Sequence, residues 1–158
     1  MPIYTEVTAQ VQQEVQALPP ASMSVRFVSA LSLALEHLEA HRDELADHFA
    51  HALRHKESPV FSPDDPMRQA LGRVITYATD TVKPDEIEDM TNLLYAFYGM
   101  VVLFWLYDRT PETRATRALV DFMGDMIKIL RPMMMMPLFS KALIKVSGIM
   151  NLVFKQTP

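Results

Sequence analysis

The chain has 158 residues, 49% hydrophobic and 22% charged, with no cysteine and a formal net charge of −4. That length is one domain with room for a real core, and the composition is too apolar for disorder and too interrupted by charge for a membrane protein. The missing cysteines remove disulfides, thiolate nucleophiles and cysteine metal sites together. Charge is also uneven: four basic residues and no acid follow from Arg131 onward, so the 11 basic and 19 acidic residues before it give an acidic body of −8. Such a body is unsuited to non-specific nucleic-acid binding.

Four glycines and eleven prolines, most of the prolines lying between long periodic segments, predict an all-α chain. The opening "MPIYTEVTAQ" is polar and acidic, unlike a secretory signal, so a cytoplasmic protein is expected. A first helix is predicted over residues 3–17, stopping at "LPPAS". Ser22 or Ser24 can cap a second, long helix that continues to Arg54. After the loop "ESPVFSPDDP", Asp64 or Asp65 caps a third helix running to Thr81. Pro84-Asp85-Glu86 makes a good first turn for the fourth, because proline needs no donor there and the acids complement the dipole. Thr110 caps and Pro111 begins a fifth helix to Leu130, which Pro132 ends. "PLFSKALIKVSGIMNLVFK" then forms an amphipathic helix within a basic extension over residues 131–158. A single domain spanning residues 1–158, a bundle of about six helices, is expected.

Within the fourth helix "LLYAFYGMVVLFWLYD" opens with fifteen uncharged residues, six of them aromatic. That is short of the roughly 18 to 20 needed to span a bilayer and reads as a buried helix. On a helical wheel Met90, Leu94, Phe97, Val101, Phe104 and Trp105 make one bulky face, and Asn92, Ala96, Gly99 and Leu103 make the opposite one. Small residues there would let another helix approach closely. In the fifth helix Ala115, Leu119, Phe122, Met126 and Leu130 form a row that Met123 and Ile127 widen. Each helix has a second apolar face to be covered, either by a partner subunit or by the final helix.

Twelve methionines, four of them in "RPMMMMP" over residues 133–136, supply adaptable apolar surface, and four in a row cannot all face one core. The tail combines lysines and apolar residues as a helix lying on an anionic membrane does, or packs on its own domain. His37, His41, His48, His51 and His55 lie along one face of the predicted long helix. His41, Glu44 and His48 have a spacing that could serve a metal, but flanking acids put the stripe at the solvent edge and no metal site is assigned. Arg42 projects toward the apolar side and needs an acceptor, from a neighbouring helix or an anionic ligand. No phosphate loop, nucleophile elbow or helical zinc motif occurs, so neither enzyme activity nor a cofactor is indicated.

The run "LLYAFYGMVVLFWLYDRTPETRATRALVDFMGDMI", with "YTEVTAQVQQEVQALPP" and "ALEHLEAHRDELADHFAHAL" before it, resembles the C-terminal regulatory half of TetR-type transcriptional regulators. The resemblance covers roughly residues 4–130 and consists of hydrophobic pattern and a few fixed residues. It implies an effector-sensing helical domain that forms a homodimer by packing two helices into a four-helix bundle, residues 85–108 and 111–130 here. Ala96, Gly99, Leu103, Leu119, Phe122 and Met126 are the interface residues expected. It also implies a mostly apolar small molecule, with Phe27, Leu31, Tyr77, Met90, Phe97, Val101 and Phe104 as pocket walls. Regulators of this type begin with a DNA-reading helix-turn-helix head, and this sequence starts where such a head would have ended. A truncated regulatory half and a natural headless relative both fit; contact with DNA would need that head. The alternative function is a lipid-handling or membrane-surface protein that uses the basic, Met-rich tail.

Overall fold

A computed structural model describes residues 2–52, 64–80, 82–133, 136, 141–142 and 144–149, and those residues are helical or in turns, with no strand among them. Among the described residues six α-helices follow in order, α1 Pro2–Gln16, α2 Met23–Glu39, α3 Arg42–Ala52, α4 Pro66–Thr76, α5 Ile87–Tyr107 and α6 Arg114–Met133, and residues 141–142 and 144–149 are helical as well. Short 3-10 turns, Pro84–Glu86 and Pro111–Thr113, lead into α5 and α6. The fold class is thus an all-α bundle. The helix α1 packs on α2 and α4, α4 on α5, and α2 on α6, around a core that includes Phe27, Leu31, Leu71, Val101 and Trp105.

Helix starts follow local chemistry. Ser22 caps α2 by accepting from the Val25 amide, and Asp65 caps α4 by accepting from the Met67 amide at 2.8 Å, with Pro66 in the first position. A second acid serves the start of α2 from a distance, because the Met23 amide donates to Asp80 Oδ1 at 2.6 Å.

The long second helix expected from sequence is two helices. The chain turns at Ala40 and His41 without a glycine or proline, the His41 amide bonding to the Leu38 carbonyl at 2.9 Å. The turn sends Leu45 and Phe49 of α3 into the core and brings Arg42 to the end of α5, where its guanidinium donates to the carbonyls of Trp105 and Asp108. Tertiary partners override the local helical preference here. Likewise α4 ends at Thr76 rather than Thr81: Tyr77 caps it, and the Thr79 amide turns away to the Ala21 carbonyl. Pro132 lies in the last turn of α6, which ends one residue later at Met133.

One buried arginine, Arg26, and one half-buried one, Arg42, close helix ends whose last carbonyls lack intrahelical donors. Arg26 donates to the carbonyls of Val15, Leu18 and Pro19 after α1, and Arg42 does the same for α5 while stacking 5.2 Å from the Trp105 ring. Side chains of α2 press on the α6 backbone at Gly124: a Cβ there would lie 2.6 Å from Val28 Cγ2, and Ser24 Oγ donates to the Gly124 carbonyl at 2.7 Å. The segment Pro84–Tyr107 is long and apolar enough to cross a membrane by composition alone, yet 61% of its most apolar window is buried inside the protein, as in a core helix.

Candidate functional site

Adjacent helices α5 and α6 each carry a row of large apolar side chains that starts half-buried against the core, at Leu93, Phe97 and Leu119, and is largely exposed further along the helix. On α5 the row is Leu93, Phe97, Met100, Phe104 and Tyr107, and on α6 it is Leu119, Phe122, Met126, Ile129 and Met133. Steps of four and three residues alternate in both, the 3.5-residue period of a seam that meets another helix. Met100 is 51% exposed, Phe104 46%, Tyr107 66%, Phe122 54% and Ile129 56%, whereas lone exposed apolar residues are ordinary. What sets these apart is their alignment along two neighbouring helices.

Behind α6 lies an open groove of about 820 Å³ between that helix, α2 and the end of α5. Its apolar wall includes Leu35 and Val120, and its rim carries Glu36, Glu112 and Asp121 against Arg117. The floor is tied together: Trp105 Nε1 donates to Glu39 Oε2 at 2.8 Å, and Arg42 stands 3.7 Å from the other Glu39 oxygen. Asp108 fixes the entrance to α6 by accepting four bonds from the amides and hydroxyls of Thr110 and Thr116, at 2.6 to 2.8 Å. Hydroxyl donation by Thr110 and Thr116 holds its carboxyl well below the usual aspartate range. The turn between them is strained, with Glu112 at φ 53° and Thr113 at φ 50°, a region L-residues seldom occupy.

A third cluster is sealed in the core where α1, α4 and α5 meet. Asp65 Oδ2 accepts from Tyr4 at 2.8 Å and from Tyr95 at 2.6 Å. Since the Tyr4 proton points to Asp65, the Tyr98 hydroxyl 3.1 Å away donates to Tyr4 in turn. Burial, reinforced by the neighbouring Asp65, pushes the Tyr98 and Tyr4 phenols up from their ordinary 10.0, Tyr4 also being raised by Tyr98. Phe49 meets Tyr4 edge-on at 6.0 Å. Every donor found here has an acceptor, so the cluster is a fastening between helices.

The residues expected to wall an apolar pocket are dispersed. Phe27, Leu31, Met90 and Val101 are buried in the core, with the Phe27 and Phe97 rings 6.4 Å apart. Tyr77 is exposed at the end of α4, and Phe104 is exposed on the outer row of α5. None of the seven lines the groove. Of the expected interface residues, Leu119, Phe122 and Met126 lie on the outer row of α6, and Ala96 and Leu103 are half-buried. Gly99, however, is buried within its own chain. The predicted face of α6 also divides, because Met123 and Ile127 point into the core.

The turn at Ala40 and His41 splits the histidine row. His37 on α2 pairs with Glu14 at 3.0 Å, where the imidazole lowers the carboxyl pKa, while His48 Nδ1 contacts the Glu44 carbonyl. No group of three metal-binding side chains that includes His41, Glu44 or His48 gathers among the described residues. His55 lies outside those residues, as do Met134 and Met135 of the methionine run. Sequence reasoning missed the groove and the Asp65 cluster; Tyr4 and Asp65 are 61 residues apart, and no local spacing signals their meeting. The four-three spacing of the α5 row was a signal available in the sequence.

No family model matches the chain, and no curated protein matches it.

Proposed function

We propose that this chain is an effector-responsive dimerisation domain, as its resemblance to TetR-type regulatory halves implies, with binding rather than catalysis as its work. The observation that carries the reading is the pair of apolar rows on α5 and α6, exposed at Met100, Phe104 and Tyr107 and at Phe122, Ile129 and Met133. Two copies placing these rows together would form a four-helix bundle with coiled-coil-like packing. The interface is centred on Met100, Phe104, Phe122 and Ile129, in place of the small-residue face around Gly99.

A small molecule enters the groove between α2 and α6, because α6 supplies one wall of that groove and also carries the dimer row. A bound molecule that prefers one placement of α6 shifts the dimer toward that geometry. The acidic rim and the Leu35 and Val120 wall suit a compact ligand with an apolar body and a positive group. In an intact regulator of this type, dimer geometry would set the spacing of two DNA-reading heads.

Native mass spectrometry of the cytoplasmically expressed protein reports subunit number and retained small molecules together. A dimer carrying extra mass, with that mass lost in Val120→Trp while the dimer persists, is the expected result. A bare monomer would sink the reading.

A further inference from the structure

Among the described residues of the C-terminal segment, the side turned away from the domain carries both ammonium groups and aliphatic side chains. Residues 141–142 and 144–149 are helical, and the one buried side chain described among them is polar: Ser147, whose Oγ accepts from Asn92 Nδ2 at 3.0 Å. Asn92 in turn accepts from Arg68 at 2.8 Å, which locks the anchor to α4 and α5. The aliphatic side chains Ile144, Val146 and Ile149 are all exposed. At 100° per residue Lys141, Lys145 and Ile149 lie on the side opposite Ser147, with Ile144 and Val146 on its flanks.

The charge on that side is unopposed. Neither Lys141 nor Lys145 forms an ion pair among the described residues, and Glu88, one turn before Asn92, faces Arg68 at 3.8 Å. The sequence has no acid after Asp125 and adds Lys155 beyond the described helix. Ammonium groups beside isolated aliphatic side chains match a lipid surface, where lysines meet phosphates and aliphatic groups enter the acyl boundary. We infer that the face bearing Lys141, Lys145 and Ile149 docks on an anionic bilayer, held in position by the Ser147–Asn92–Arg68 anchor. The inference is independent of the dimer rows and of the groove.

Co-sedimentation of the full chain tests it, with vesicles of phosphatidylcholine alone and of phosphatidylcholine containing one part in three of phosphatidylglycerol. The expected result is pelleting with the anionic vesicles that weakens as salt rises, and little with the neutral ones. Each lysine at such a surface is worth about fivefold in affinity, so Lys141→Glu with Lys145→Glu should lose at least roughly 25-fold. Ile149→Ser should lose up to about tenfold with both lysines intact. Equal pelleting on both vesicle types, or pelleting indifferent to lysine reversal, would overturn the proposal. So would a change of subunit number in Ile149→Ser without vesicles, which would identify a second copy as the occupant. Unchanged circular dichroism confirms that each variant is folded.

Discussion

The helix α5 takes part in two regions of opposite character. On its inner side Tyr95 and Tyr98 join Tyr4 and Asp65 in a sealed cluster whose hydrogen bonds converge on one carboxylate. On its outer side Met100, Phe104 and Tyr107 meet no core, and Phe122 and Ile129 of α6 repeat the pattern. Polar groups are buried where apolar ones would be ordinary, and apolar groups are exposed where polar ones would be. The inner arrangement works because every donor found is satisfied, so polarity there fastens α1 and α4 to α5. The outer arrangement leaves apolar surface in water among the described residues, and the proposed dimer would cover it.

The largest expected effect lies inside. Asp65→Ala removes the acceptor of two buried phenols and the cap of α4, and should cost about 3–5 kcal/mol by denaturant titration. A loss under about 1 kcal/mol would mean that the cluster does not fasten the helices. Next, Tyr98→Phe removes only the outermost donor and should cost about 1 kcal/mol at neutral pH. Its pH signature is sharper. Burial raises the Tyr98 pKa above 10.0 in the folded state, so the stabilisation of the neutral phenol is fully present below pH 10 and is lost as pH rises beyond it. Alkaline unfolding monitored by tyrosinate absorbance should therefore be shallower in Tyr98→Phe than in the parent. An identical alkaline limb would show that Tyr98 does not drive it. The smallest effect on the fold is expected outside: Phe104→Glu with Phe122→Glu should change monomer stability by no more than about 1 kcal/mol, measured at high dilution.

Much of the fold was legible because helix ends are local. Pro84-Asp85-Glu86, Ser22 and Asp65 mark starts by capping and dipole chemistry that needs no tertiary partner. The break at Ala40 and His41 was not legible, since nothing in its composition stops a helix; Arg42 reaching the end of α5 explains it only after folding. Even so, Arg42 was recognisable as a residue in need of an acceptor, and the acceptors are carbonyls rather than an acid alone. The wheel for α5 did not find the boundary between its inner and outer sides: Met90, Leu94, Val101 and Trp105 of one predicted face and Asn92 and Gly99 of the other are all buried, while Phe104 is exposed. Gly99 is inside and Phe104 outside because Tyr95, Tyr98 and Val102 follow the neighbouring helices into the core. Least legible was the groove, whose walls come from α2, α5 and α6 at long sequence separation.

The central claim is that the rows on α5 and α6 are the meeting surface of two copies. Sedimentation velocity of the parent and of Phe104→Glu with Phe122→Glu, at equal concentration, tests it most directly. The parent should sediment as a dimer and the variant as a folded monomer with unchanged circular dichroism. A monomeric parent, or a variant that remains dimeric, would contradict it.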